Sequence, residues 1–325
     1  MTLILNRDDV SRVLNMKDCI EIVEAAFAEL AHGTADMPLR SNIKPPGGIS
    51  LYMPAYLKDM KALACKVVTV FKDNPVKHDL PTTIGKVLLQ DPETGDVICI
   101  MDGGFLTAMR TGAASGVATK YLARDEKNMT AGIFGTGVQA QMQLRAVCEV
   151  RDITKAFAYD INAEAAGKFA SAMSQKLGID VIIAKSPSEI LESDIICAAT
   201  SSPTPIFDGA LVKEGTHING IGSHTPNARE LDTAIIKRSR FIGDSREACF
   251  SEAGDIMIPL EAGEIEESHY FADLGEVVIG AKDARRNKSE ITIFKSNGLA
   301  VQDAATAKLI YDKAVAQGIG VEVPI

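Results

Sequence analysis

The stretch MTAGIFGTGVQA at residues 129–140 runs from an apolar segment straight into Gly135-x-Gly137-x-x-Ala140. Met129–Phe134 reads as a buried strand, and the residues after the glycines, to Val150, read as a helix. Gly135 permits a tight turn. Gly137 lets the backbone approach a pyrophosphate with no Cβ in the way, and Ala140 lets the helix pack closely on the strand. The helix N-terminus then offers free N–H groups and a partial positive charge to phosphates. Placed between strand and helix, this pattern signals a dinucleotide site. Asp160 ends the next strand, 23 residues past Gly137 (160 − 137). A carboxylate there accepts hydrogen bonds from the adenosine ribose and repels a 2′-phosphate, so NAD(H) is expected, NADH preferred and NADPH the alternative. Gly135, Thr136, Gly137, Val138, Gln139, Asp160 and Ile161 are the expected cofactor contacts.

Outward from this motif, strands and helices alternate. Strands are expected at Lys155–Tyr159, Val181–Ala184, Ile195–Ala199, Thr216–Ile221 and Arg240–Gly243, with a helix over Ala163–Leu177 and a helical turn from Ser188. Such alternation predicts a parallel sheet with right-handed crossovers. The N-terminal part reads differently. A strand at Thr2–Leu5 precedes a helix start capped by Asn6 or Asp8. Met16–His32 follows as a helix with Ile20, Val23, Ala26, Phe27 and Leu30 on one face. Short β runs then occur at Ser50–Met53, Leu63–Val70, Thr83–Gln90 and Val97–Met101, the last two joined by a turn over Asp91–Asp96. The expectation is an α/β protein: a Rossmann domain over 126–295, and a discontinuous α+β domain of 1–125 with 296–325 for substrate binding and dimerisation. A final helix, Ala300–Gln317, is expected to pack back on the N-terminal part, with Val321–Ile325 pairing with its sheet.

The totals exclude several classes. At 325 residues the chain suits two domains, and 46% apolar residues exceed what a disordered chain carries. A net charge of −9 repels nucleic-acid backbones and anionic membranes. No basic leader or membrane-length apolar run is visible, so a cytoplasmic protein is expected. The six cysteines are scattered without CxxC or histidine spacing, which suits reduced thiols and no metal site.

Three cations stand out in the first part. Lys66 lies inside an apolar strand, Arg40 in the irregular Met37–Arg40 segment, and Arg110 in the small-residue run Thr107–Gly116. Small residues allow close backbone approach, and a cation beside them suits a carboxylate or phosphate. His217, in an apolar strand, reads as a packed core residue. Glu230 and Asp232 read as helix-capping residues. Asp303 reads as structural, and Met53, Lys72 and His78 as loop residues that would set substrate size.

Several segments now carry a resemblance: Met53-Pro54-Ala55, Ala64-Cys65-Lys66, Leu80-Pro81-Thr82, Thr107–Ala114, Gly135–Ala140, Gly215–Asn219, Arg229-Glu230-Leu231-Asp232, Leu274-Gly275-Glu276 and Ser296–Asp303. In this order along nearly the whole chain they resemble the ornithine cyclodeaminase/mu-crystallin family. The resemblance implies a homodimer whose small-molecule imino or amino acid substrate has its carboxylate held by Arg40, Lys66 and Arg110. It makes Lys66 the proton donor and brings Asn297 to the substrate. It also implies cofactor contacts from Thr111, Thr200, Ser201, Ser202, Ile221, Ser223, His224 and Gly298. Family cyclodeaminases carry an aspartate in the loop read here as Gly222-Ser223-His224-Thr225-Pro226, where it would bind the side-chain amine of ornithine. His224 is a poor partner for an ammonium. The expectation is therefore net hydride transfer: reduction of a carboxylate-bearing imine, first Δ1-pyrroline-2-carboxylate to L-proline and second L-alanine dehydrogenation. A cyclodeaminase using NAD catalytically and a mu-crystallin-like ligand-binding protein are the alternatives.

Overall fold

The computed structural model describes residues 1–324, which form two compact units. One unit comprises Met1–Arg110 with Leu299–Ile325, and the other Thr111–Gly298. These divisions fall 15 residues before the expected boundary at 125 (125 − 110) and three residues after the expected end at 295 (298 − 295).

Across the first of these divisions runs a helix over Gly103–Leu122 that no sequence period marks. It is buried almost all round, so it shows no polar face from which a period could be read. Its first eight residues belong to one unit and the rest to the other. A Cβ on Gly112 would lie 2.7 Å from the Met142 carbonyl oxygen, so glycine is what lets this helix seat against Val138–Val150.

The discontinuous unit is built on a mixed eight-stranded sheet. Gly48–Leu57, Ala62–Phe71, Thr83–Gln90 and Val97–Asp102 run antiparallel to one another at its centre. Thr2–Leu5 pairs parallel with Val97–Asp102 and antiparallel with Val321–Val323. The C-terminal strand therefore does join this sheet; the expected strand's last residue, Ile325, lies outside the described residues. Asn6, rather than Asp8, caps the Arg7–Val13 helix. Ala300–Gln317 packs on Gly48–Leu57, Ala62–Phe71 and the helix Met16–His32. Met53 occupies a buried place in a strand, not a loop.

The second unit holds eight parallel strands. Met129–Phe134 lies between Ile153–Tyr159 and Ile195–Ala198. The chain order reverses at this point, which is where open α/β sheets bind their ligands, beyond the carboxyl ends of the strands. Ile291–Lys295 inserts between His217–Gly220 and Ser239–Gly243. Asp232 caps the helix Thr233–Arg238 by accepting from the Ile235 N–H at 2.9 Å. Glu230 caps nothing: it is fully buried and its carboxylate points elsewhere.

His217 is the packed core residue expected. Its ring nitrogens lie 3.0 Å from Thr292 Oγ1 and 3.2 Å from Asn219 Oδ1. Burial, with Arg285 as a second cause, pushes its pKa down to about 3. Between that value and the ordinary 6.5 the unfolded chain binds a proton that the folded chain refuses. Unfolding free energy should therefore rise with pH over this window, and His217→Gln should flatten that rise. Urea titrations from pH 4 to 7 check this, and an unchanged slope in the variant would clear His217 of the effect.

Candidate functional site

Lys66 sits at the middle of Ala62–Phe71, on the strand face shared with the buried Ala62 and Ala64. Across the strand pair it faces Met53, itself 3% exposed. An ammonium at 1% exposure needs a partner, because isolated buried charge is costly. Asp303 is that partner: Lys66 Nζ lies 2.7 Å from its Oδ2. The other carboxylate oxygen, Oδ1, accepts from Arg110 Nε at 2.9 Å. Next to it, Gln302 Oε1 accepts from Arg110 Nη1 at 2.7 Å. Gln302 and Asp303 occupy the first turn of Ala300–Gln317, where the helix dipole favours a negative charge.

One carboxylate thus faces two buried cations, and the half-buried Arg40 is near enough to act on Lys66. Positive charge is left in excess. Burial first, and Arg110 second, lower the Lys66 pKa to about 7 against the attraction of Asp303. A region of this kind favours an anion with planar oxygens and holds a lysine that can give or take a proton near neutral pH. The structure brings together Lys66 and Arg110 on Asp303, with Arg40 near enough to act on Lys66. It adds Gln302, and it makes Asp303, which reads from sequence as structural, the shared counter-ion of Lys66 and Arg110. The available signal was two adjacent buried polar residues in the Ala-rich turn Ala300-Val301-Gln302-Asp303-Ala304-Ala305.

In the unit 111–298 the dinucleotide signature folds as its sequence implies. Gly135 has φ of +84°, and a Cβ there would lie 2.5 Å from the Ala199 carbonyl oxygen. A Cβ on Gly137 would meet nothing within 4 Å, so the loop is open on that side. Gly137 begins the helix without any side-chain cap, which leaves its first N–H groups for a ligand. Asp160 is oriented from two sides: Thr136 Oγ1 donates to Oδ2 at 2.7 Å and the Asn162 N–H to Oδ1 at 2.9 Å. Val138 and Ile161 are exposed and Gln139 half-buried beside them. An open glycine turn, an uncapped helix start and an oriented carboxylate fit the phosphates and ribose of NAD(H).

The other expected cofactor residues lie in this unit too. Thr200 follows the strand Ile195–Ala198, with Ser201 exposed and Ser202 half-buried. Ser202 Oγ donates to the Thr204 carbonyl at 2.7 Å. Ile221, Ser223 and His224 follow His217–Gly220. Ile221 and Ser223 are buried, while His224 is exposed with Nδ1 3.0 Å from the Gly222 carbonyl. Thr111 is buried, and its carbonyl accepts from Gln143 Nε2 at 3.3 Å. The Asn297 and Gly298 N–H groups donate to Asp244 Oδ2 at 2.6 and 2.7 Å. The Asn297 side chain turns to Asp244 and Cys249. Among the described residues no three His, Cys, Asp or Glu are grouped as metal ligands.

The model of the ornithine cyclodeaminase/mu-crystallin family matches residues 1–318. A Δ1-pyrroline-2-carboxylate reductase of Bacillus cereus is 37% identical over 322 residues, covering 98% of each chain. The structure of a Thermococcus litoralis Δ1-pyrroline-2-carboxylate reductase in complex with NADH and L-proline is 50% identical. It superposes with a TM-score of 0.95 over 99% of this chain and 100% of that one. An archaeal alanine dehydrogenase dimer with bound NAD is 37% identical, with a TM-score of 0.94 over 100% and 99%.

Asp303 raises the Lys66 pKa and Arg110 lowers it, so Asp303→Asn should move the Lys66 titration below its present value of about 7. Titrating the lysine Nζ by NMR in both proteins checks the sign. An upward shift would show that Asp303 does not hold the ammonium form.

Proposed function

The chain belongs to the ornithine cyclodeaminase/mu-crystallin family, and from this we propose an NADH-dependent reductase that converts Δ1-pyrroline-2-carboxylate to L-proline. The observation that carries the reading is the excess of buried positive charge around a lysine with a pKa near 7. The substrate carboxylate completes that charge set, held by Arg110 and Arg40 with Lys66 alongside. This clamp fixes the C=N bond, and orientation of this kind can supply several kcal/mol of the barrier. NADH, held through Gly135–Gln139 and Asp160, supplies the hydride. Lys66 gives its proton to the imine nitrogen and is recharged from solvent. The developing amine and the spectator carboxylate both stay within reach of the same charged group.

Two features favour NADH over NADPH and reduction over cyclodeamination. Asp160 is held with a carboxylate oxygen at each of two donors, which leaves its charge directed where a 2′-phosphate would be repelled. His224 stands in the loop where a carboxylate would be needed to bind an ammonium, so ornithine finds no counter-ion there. The archaeal alanine dehydrogenase likeness supports a second substrate, pyruvate with ammonia, on the same clamp.

The same reading includes a homodimer in the cytosol. No helix among the described residues is long and apolar enough to cross a membrane, and none of the six cysteines forms a disulfide. The sheet of the discontinuous unit buries one face under helices. On the other face Leu63, Cys65, Val67, Leu88, Ile98 and Ile100 are only half-buried. A second copy of the chain covering this face would remove an apolar patch that a monomer rarely leaves in water.

NADH oxidation measured with Δ1-pyrroline-2-carboxylate and with pyruvate plus ammonia, and proline and ammonia formation measured with L-ornithine plus catalytic NAD⁺, test the activity. Turnover of the cyclic imine should exceed the others, and ornithine turnover at a comparable rate would overturn the assignment. Lys66→Met should lower kcat/KM by roughly 10²–10⁴-fold. In the wild type the reductive kcat/KM should fall as pH rises through about 7, because the donor is then deprotonated. Light scattering should give twice the 34.7 kDa chain mass, and Ile100→Asp should halve it.

A further inference from the structure

Glu230 is fully buried at the carboxyl ends of two adjacent parallel strands, Ile195–Ala198 and His217–Gly220. Its Oε1 accepts from both the N–H and the Oγ1 of Thr200, each at 2.6 Å. Its Oε2 accepts from the Gly222 N–H at 2.6 Å. One carboxylate therefore stitches the loop that leaves the first strand to the loop that leaves the second. The fit is close enough to require glycine: a Cβ on Gly222 would lie 2.0 Å from the Thr200 carbonyl oxygen and 2.6 Å from Glu230 Cδ.

Glu230 is itself held. Its N–H and that of Leu231 donate to Asp255 Oδ1 at 2.8 and 2.9 Å. Asp255 Oδ2 lies 2.8 Å from Lys295 Nζ, and neither side chain is exposed. Lys295 Nζ also donates to the Ser223 carbonyl, so the same cation fixes the second loop at another point. Burial raises the Glu230 pKa, and Lys295 opposes it. A carboxylate with three donors and a nearby buried ammonium is a rigid arrangement, because removing any partner leaves buried charge unpaired.

We propose that Glu230 is a positioning residue of the cofactor site, whose carboxylate presets the Thr200–Ser202 and Ile221–His224 loops for the NADH they receive. The inference rests on the assignment of NAD(H) to this unit. A ligand that binds preset loops does not have to order them, so the carboxylate raises affinity without touching the ligand. Gln at this position offers one acceptor oxygen for two loops and turns its NH₂ group toward a backbone donor.

Two measurements test it. In hydrogen exchange on the wild-type protein, the Thr200 and Gly222 amides should be as protected without NADH as with it. Free exchange of both amides in the absence of NADH would overturn the proposal, and this needs no variant to fold. In Glu230→Gln, Kd for NADH should rise at least tenfold, read by calorimetry or nicotinamide emission, since the chain has no tryptophan. The imine KM at saturating NADH should move less than threefold, a split that general loss of structure would not produce. A folded variant that binds NADH within threefold of wild type would overturn the proposal. Failure of the wild type itself to bind NADH would instead sink the cofactor assignment, and this inference with it.

Discussion

The Asp303 carboxylate, held between Lys66 and Arg110, is the constraint on which the chemistry of the discontinuous unit depends. Its three side chains come from a strand, from the Gly103–Leu122 helix and from the helix Ala300–Gln317, which lie far apart in sequence. Two cations at this depth repel each other, and burial with Arg110 beside it pushes Lys66 toward its neutral form against the hold of Asp303. A second full anion from the protein would quench the site. One carboxylate for two buried cations, with Arg40 nearby, keeps the balance of charge positive, which is the ground for the proposed carboxylate-bearing substrate.

The other unit uses the same chemistry at its strand ends. Asp160 and Asp244 each directly follow a parallel strand, Glu230 precedes the helix Thr233–Arg238, and each accepts at least one backbone N–H from a loop. Loops carry N–H groups that no ladder satisfies, and burying them unpaired would be costly. Carboxylates meet this need and fix loop geometry together. Of the three, only Asp160 keeps its carboxylate half-exposed beside the open glycine turn. The other two are fully buried.

The reading of the reaction turns on charge placement. A reductase of a cyclic imino acid needs a cationic clamp, a proton source near neutral pH and a hydride donor. A cyclodeaminase needs in addition an anion for the second amine. His224 is exposed and lies against a backbone carbonyl, so it brings no negative charge to that loop.

The dinucleotide unit was legible because its rules are local. A strand, a Gly135–Ala140 turn, a helix and Asp160 follow one another within a short span, and Gly135 is required by its positive φ and by the Ala199 carbonyl beside it. Lys66 and Arg110 stood out as charges in apolar or small-residue surroundings. The sequence could not reveal what pairs them. Asp303 lies 237 residues from Lys66 (303 − 66) and 193 from Arg110, and the polar pair it forms with Gln302 in an Ala-rich turn names no partner. Glu230 misled for the same reason: beside Asp232 at a helix start it resembles a cap, yet its partners are Thr200 and Gly222. The Gly103–Leu122 helix was hidden by being buried on nearly every side, which removes the polar face that periodicity requires. Sequence alone determined the cofactor and the cations, because propensity and motif act between near neighbours. Only the tertiary structure decided that Asp303 is the carboxylate that holds both Lys66 and Arg110, because an ion pair between distant segments depends on where the chain brings them.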